Sequence, residues 1–596
     1  MPLSPTDRPG LRDAVTSPLR DAMARCLSSP TGGWLHSVHV VNFDVDVGHV
    51  LEWSGGSGVL STSEASALCF AAMPDSQPSS GGLGDRCFTF RLVVQDKLLW
   101  GFSLFRAHRM AGVRRGCFQK AMVLLTALPL FRLFRSTVSL LADAYFGAGG
   151  SEALREALHQ CEKWPQLRGA GVQSLPLLGS TLTLDCIECA SGPSYAYQRQ
   201  PTVGGGAALR EVRDASALCA LGGACWTLWQ LVLTGESLVV LTPSPQQCGS
   251  IVLALPALVE PLSCMAELRP YMTIHAPEWD ALLSGSGPPP GSGVVLGATN
   301  PLLARAPPPW LSLLTLAEAA TSADGGGGSG SGGSGGGSGG GGSGGLSFLF
   351  GLRRGSRDDA DESGGGGSGG GGSSICTLPS EDGGGAMVVD MSWTLACEQL
   401  VRPDERVLRR LRGEPPPSEG AAAGSSSGGA GGGRGAAGGG GAPSGGGLSS
   451  GGGAPSGGGA AGLSGDASQR GGERGEGSWH PGQPAEALLR EHFAQLTTSF
   501  LQPLERFLLM GSLEMRTPSP AGTETGREAM MLHEWSYEAQ TRFLRELEKM
   551  EPPPLPRSIV PQRADLVRLY AAFLRTPSFA RWFELRRQRA SAAFCE

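Results

Sequence analysis

Residues 225–258 read CWTLWQLVLTGESLVVLTPSPQQCGSIVLALPAL, and the order of elements in this stretch decides the fold class. Residues 225–233 are apolar enough for a buried helix, and Gly235 is well placed to end it. The β-branched run 237–242 follows as a strand bounded by Pro243 and Pro245. Residues 247–258 return to a helical pattern despite Pro256. A helix, a buried strand and a second helix in direct succession predict an α/β arrangement with a partly parallel sheet. Around this centre, 181–186, 271–274 and 294–296 read as short strands, so the block spans about residues 172–315.

Working toward the amino terminus, residues 36–44 alternate and are rich in β-branched side chains, and Asp46-Val47-Gly48 supplies a turn into a second strand at 49–53. Ser61-Thr62-Ser63-Glu64 has capping-box spacing ahead of a short helix at 65–73. Residues 86–92, 99–106 and 117–128 read as strands, and the apolar pattern after Pro129 as a helix. That succession is a small α+β module, followed by a further helix at 152–164. Working toward the carboxy terminus, 26 of the 93 glycines fall in residues 325–372 and 28 in residues 413–478. Such tracts have no core-forming capacity and are expected to be disordered. Between them, 391–411 reads as one helix carrying Trp393, Leu395, Leu400, Val407, Leu408 and Leu411. Beyond them, 487–507 is helical with a kink or break near Pro503, and helices at 538–549, 564–574 and 579–589 follow. The expectation is a multidomain chain, α/β and α+β, with a helical tail.

The formal net charge of −6 over 596 residues gives no overall footprint for a polyanion. Only 4 of the 48 basic residues are lysine, and Asn42 and Asn300 are the only asparagines, a bias that a GC-rich coding sequence produces without function. No apolar run reaches 18 residues, so a membrane span is not expected. The first 33 residues lack the apolar stretch of a secretory signal, and the 14 scattered cysteines read as reduced thiols in the cytosol. Gly-Gly-Ser-Gly-Gly in the first tract matches the nucleophile-elbow pattern formally, but the strand and helix that the elbow needs are missing. There is no P-loop motif. Cys186 and Cys189 form a lone CxxC without a suitable second pair, and core cysteines are the better reading. A lone His275 reads as a hydrogen-bonded core residue. Residues 101–142 carry Arg106, Arg109, Arg114, Arg115, Lys120, Arg132 and Arg135 with no acid, which suits either an anionic partner or a solvated face. No nucleophile, acid–base pair or metal cluster emerges, which suits a protein that works through a surface.

The strings His36-Ser37-Val38-His39-Val40-Val41-Asn42-Phe43-Asp44, Pro74-Asp75-Ser76, Gly101-Phe102-Ser103-Leu104-Phe105-Arg106 and Arg115-Gly116-Cys117-Phe118-Gln119-Lys120 lie in the first block. The second block holds Trp229-Gln230-Leu231-Val232-Leu233-Thr234-Gly235-Glu236-Ser237-Leu238, Arg269-Pro270-Tyr271-Met272-Thr273-Ile274-His275 and Leu296-Gly297-Ala298-Thr299-Asn300-Pro301. With Ser499-Phe500-Leu501-Gln502-Pro503 and Thr576-Pro577-Ser578-Phe579 in the tail, these resemble the sixth subfamily of DENN-domain proteins. That family's members are guanine-nucleotide exchange factors for Rab GTPases. The resemblance implies a longin-like upstream module at 34–146, a linker at 147–171 and an α/β core DENN module at 172–320. It further implies a helical downstream module at 479–596, with a helical segment at 375–412 and disordered stretches at 1–33, 321–374 and 413–478. The 91–100 stretch is shorter than the family usually has.

The resemblance implies exchange activity on a Rab-family small GTPase, GDP-bound or nucleotide-free, in endosomal membrane traffic. It implies a cytoplasmic protein peripheral to recycling or early endosome membranes, with possible contact to anionic lipid and no covalent catalysis, cofactor, metal or nucleic acid. The partner surface is expected across the first two modules. Phe105, Arg106, Arg115, Phe118 and Lys120 are candidates on one side, with Pro243, Ser244, Pro245, Arg269, Thr299 and Asn300 on the other. Two alternatives stay open: a Rab-binding scaffold or effector without exchange, and a GTPase-activating protein with Arg106 as finger.

Overall fold

Strands β1 (Ser37–Asp44) and β2 (Gly48–Gly56) form the expected hairpin, and the Asp44 carboxylate accepts the N–H groups of Asp46 and Val47 in its turn, at 2.8 and 3.0 Å. The structure, a computed structural model, describes residues 33–75, 84–109, 117–167, 171–189, 192–200, 209–210, 215–276, 279, 287–289, 291–304, 307–318, 374–379, 386–414, 484–514 and 535–595. The stretches expected to be disordered fall almost entirely outside these residues. Strands β3 (Gly84–Val94), β4 (Lys97–Arg109) and β5 (Cys117–Thr126) complete an antiparallel sheet of order β2-β1-β5-β4-β3.

Both faces of this sheet are covered, which explains why β5 is apolar without alternation. Ala121, Val123 and Leu125 enter one core, while Met122 and Leu124 enter the other. Helix α1 (Thr62–Ala71) lies on the first face, started by a capping box in which Ser61 and Glu64 satisfy each other's backbone N–H groups. Helices α2 (Phe131–Ala144) and α3 (Gly150–Glu162) lie on the second face, joined by the π-helical turn Tyr145–Gly149. There Leu154, Ala157 and Trp164 share a core with Val38 and Phe134. The hairpin of β6 (Gly171–Leu177) and β7 (Ser180–Cys189) adds Leu175 and Leu182 to that core. Strands β8 (Gly192–Gln200) and β9 (Leu209–Arg210) extend its sheet.

A buried histidine ties β1 to β2. His39 has no exposed surface, with Nε2 2.8 Å from Ser37 Oγ and Nδ1 2.9 Å from Ser54 Oγ. Burial first, and the nearby His36 second, push its pKa from 6.5 down to about 4. The unfolded chain therefore binds the proton more readily than the folded one between those values. The stability that the neutral imidazole contributes is fully present above pH 6.5 and is lost as pH falls through 4, a difference of about 3 kcal/mol. His39→Gln should flatten that part of the profile. Urea melts of both proteins from pH 7.5 to 4.5 should show the wild-type advantage shrinking by about 2–3 kcal/mol, and an unchanged difference would show that His39 does not titrate in the fold.

The α/β block consists of a short helix α4 (Ser216–Cys219), α5 (Ala224–Thr234), β10 (Ser237–Leu241), α6 (Pro245–Ala254) and a 3-10 turn Leu255–Val259. Strands β11 (Glu267–Arg269), β12 (Val294–Ala298), β13 (Leu311–Glu318), β14 (Ser374–Pro379) and β15 (Ala386–Thr394) follow. The second sheet has the order β11-β12-β10-β13-β15-β14. Strand β10 pairs parallel with β12 and β13, as the order of elements in 225–258 predicts, while β15 runs antiparallel to both its neighbours. Strands β13 and β14 thus point the same way with one strand between them. Residues 319–373 leave and re-enter the sheet on strands two spacings apart, roughly 10 Å.

Three expectations need correction. Residues 271–274 are not a strand: the ladder with β12 ends at Arg269, because Pro270 has no N–H to donate. Residues 391–411 are not one helix, since Met391 and Trp393 lie in β15, opposite Leu316 and Leu314 of β13. Only α7 (Glu405–Leu411) is helical there; Pro403 disfavours helix at Arg402, and Asp404 caps the new start by accepting the Arg406 N–H at 2.9 Å. Helix α8 (Ala485–Glu514) runs through Pro503 without a break. Its surroundings hold it: Phe500, Leu501 and Leu504 are buried, and the Tyr570 hydroxyl donates to the Phe500 carbonyl at 2.5 Å.

Helices α9 (Tyr537–Lys549), α10 (Arg563–Phe573) and α11 (Pro577–Cys595) complete the fold. They and α8 share one core with α5. Trp226 meets Phe493 at 5.1 Å, and Trp229 Nε1 donates to Thr497 Oγ1 at 2.9 Å. Among the described residues no helix is long and apolar enough to cross a membrane.

Candidate partner-binding cleft

The chain leaves α1 through Met73 and Pro74, and this exit places Asp75 where the first sheet meets the α/β block. The Asp75 N–H donates to the Tyr271 hydroxyl at 2.8 Å, and the Ile274 N–H donates back to Asp75 Oδ2 at 2.8 Å. The Tyr271 ring is buried edge-on against Phe88 of β3, 5.2 Å away. The Asp75 N–H on the Tyr271 phenol and the Ile274 N–H on the Asp75 carboxylate thus fasten the two blocks together at this residue.

Beside it opens a cleft of about 240 Å³ lined by Phe43, His49, Phe70, Asp75, Ile274 and His275, among others. Its aromatic side chains form a row: Phe43 to His49 at 5.1 Å, His49 to Phe70 at 5.0 Å, and Phe70 to His275 at 4.5 Å. Burial raises the Asp75 pKa to about 6, against the opposing pull of the Ile274 N–H and the His275 charge. His49 is lowered, by burial first and by His275 second. Apolar side chains stand in solvent on the lining and in the adjoining β1–β2 turn. Ile274 is 38% exposed, Val45 38% and Val47 77%. The lone His275 is therefore not a core residue: it is exposed at the cleft, its ring tilted against Phe70 at 4.5 Å.

The sequence-derived candidates fall into separate groups. Phe105 is buried beneath the cleft and belongs to its packing. Arg106 Nε and Nη2 donate to the two Asp85 oxygens at 2.6 and 2.5 Å. It also lies 3.6 Å from Asp143 and stacks on Phe146. So engaged, it has no free guanidinium to extend as a finger. Lys120 Nζ donates to Glu52 at 2.6 Å, with the Tyr145 hydroxyl donating to the same oxygen. Phe118 is half-buried edge-on to Phe146 at 6.0 Å, and Arg115 lies outside the described residues. The acid-free run at 101–142 is thus neutralised at Arg106 and Lys120 by acids from other elements. The tail arginines Arg563, Arg568, Arg586 and Arg587 are likewise paired with glutamates.

The second group gathers at the carboxy ends of the parallel strands β10 and β12, where open α/β sheets commonly bind ligands. Ser244 and Pro245 are buried there and start α6, with Ser244 Oγ accepting the Gln247 N–H. Pro243 is half-buried and Thr299 buried, while Asn300 Oδ1 accepts the Leu302 N–H at 3.0 Å. Arg269 pairs with Glu267 at 2.7 Å and lines a second cleft with Arg91. Phe105, Ser244, Pro245 and Thr299 are thus buried in the fold. The side chains of Cys186 and Cys189 lie outside what is described. Sequence reasoning did not name Asp75, Phe70 or His49 as candidates, although Asp75 lies within one of the family strings.

No family model matches the chain. Protein DENND6B of Mus musculus is 32% identical over 326 residues, covering 49% of this chain and 54% of that protein. Over the matched part, the chain resembles DENND6-type DENN-domain proteins. Protein DENND6A of Gallus gallus is 31% identical over 331 residues, 49% of this chain and 55% of that protein. The DENND6 homolog of Dictyostelium discoideum is 26% identical over 357 residues, 48% of this chain and 49% of that protein. The chain spans about half the length of the curated relatives it matches.

Proposed function

We propose that the chain is a guanine-nucleotide exchange factor for a Rab-family small GTPase in endosomal membrane traffic, working at the cytoplasmic side of recycling or early endosomes. On this reading the first sheet with α1–α3 is the longin-like module, the second sheet with α5 and α6 the core DENN module, and α8–α11 the downstream module. The observation that carries it is the cleft where the first two meet, bearing the exposed Ile274 beside Val45 and Val47 of the adjoining turn. Exposed apolar side chains beside a concave junction are what a protein partner buries. The DENND6-type relatives support the same reading. Exchange needs no reactive group: a surface that binds the emptied GTPase a thousandfold more tightly than the GDP form supplies about 4 kcal/mol toward nucleotide release.

The test is release of fluorescent GDP from a panel of purified Rabs with and without the full chain. Acceleration with at least one Rab is expected. The scaffold reading has one observation in its favour: β3 and β4 are joined by the two-residue turn Gln95-Asp96, both at positive φ, so no loop projects there to act on a partner. No acceleration with any Rab, together with binding to a GTP-loaded one, would favour it.

A further inference from the structure

Among the described residues, Asp75 is a carboxylate held in place with half its bonding capacity unused. Oδ2 is fixed by the Ile274 N–H, whereas Oδ1 has no hydrogen-bond partner and no arginine or lysine pairs with the group. The group faces the cleft whose walls carry Phe43, His49, Phe70 and His275. We propose that this cleft receives one basic side chain, an arginine or lysine of the protein partner, anchored on Asp75 Oδ1 and flanked by the row of rings. The inference rests on the reading that the partner is a small GTPase.

Charge, shape and size agree on that occupant. A carboxylate with one oxygen already oriented presents the other as a ready acceptor for a guanidinium or ammonium donor. Aromatic faces at 4.5–5.1 Å from one another offer stacking surface for the same cation. A volume of about 240 Å³ is below the usual range for small-molecule pockets and suits a single side chain with its methylene stem. An acidic side chain would be repelled by Asp75.

The ionisable groups facing Asp75 are His49 from β2, together with His275 and the Tyr271 hydroxyl from the segment after β11. Asp75 titrates near 6, so at neutral pH it carries its charge. Acidification protonates Asp75, and the loss of its charge disfavours a cation. Binding should therefore weaken as pH falls through 6.

The experiment titrates N-acetyl-arginine amide and its lysine analogue into the full chain, followed by NMR, with the wild type, Asp75→Asn and His275→Ala. Asparagine keeps an oxygen for the Ile274 N–H, and His275 is exposed, so thermal melts should show both variants folded. The wild type should bind at least one probe at pH 7.5. Asp75→Asn should bind about 10-fold or more weakly, and His275→Ala several-fold more weakly. Equal binding by Asp75→Asn, or none by the wild type, overturns the proposal. In parallel, nucleotide-free Rabs are passed over the wild type and Asp75→Asn. Capture of none by the wild type would sink the exchange reading while leaving the probe titration to judge the cleft. Equal capture by both would leave exchange standing and remove the cleft from it.

Discussion

Trp229→Ala is expected to destabilise the whole protein by about 3–5 kcal/mol, the usual cost of removing a large buried aromatic. Trp229 is wholly buried in α5, edge-on to Phe500 of α8 at 5.9 Å. Its Nε1 donates to Thr497 Oγ1, which donates in turn to the Leu258 carbonyl at 3.4 Å. Alanine would leave a cavity at the seam between the α/β block and the carboxy-terminal helices, and would strip the Thr497 hydroxyl of its donor. Because this seam belongs to one continuous core, the transition should remain single and simply move to lower urea. Thr497→Val isolates the polar part, leaving the indole N–H buried without an acceptor at about 1–3 kcal/mol. Two separated transitions in Trp229→Ala, with the α/β block keeping wild-type stability, would show that the helices fold independently.

The backbone between α5 and β10 carries the second large effect. Gly235 caps α5 in the left-handed region at φ +65°, and a Cβ placed there would meet the Gly291 carbonyl oxygen at 2.1 Å. A β-branched residue combines a disfavoured conformation with a backbone clash that no side-chain rotation relieves. Gly235→Val should cost about 4 kcal/mol, summing backbone strain and overpacking. Glu236 provides the control: its Cβ lies on the same turn without the αL requirement, so Glu236→Ala should change stability little. A Gly235→Val protein with wild-type thermal stability would mean that the 291–293 segment moves aside freely.

The same stretch shows what the sequence could reveal. Helix α5, its glycine stop and β10 were legible because local periodicity, the cap and the flanking prolines all favour one answer. The β1–β2 hairpin was legible for the same reason. Residues 391–411 were not, because Trp393, Leu395 and Leu400 suit a helix as well as a strand, and only the presence of β13 alongside chooses between them. The helix through Pro503 was misjudged because its support comes from Tyr570, far along the chain. Of the candidate cleft, the family strings pass through part, since Asp75, Tyr271 and His275 all lie within quoted stretches. They could not show that Phe105 and Ser244 point inward, nor that Phe43, His49, Phe70, Asp75 and His275 converge. Convergence of single residues from separate elements leaves no mark on spacing.

The arrangement of β13, β15 and β14 makes residues 319–373 a natural splice point. Their anchor strands run in one direction and stand about 10 Å apart, a separation that the termini of many compact folds can match without stretching. A fluorescent reporter or affinity handle engineered into that segment should leave the surrounding architecture in register, and would give a probe carried beside the second sheet rather than at either chain end.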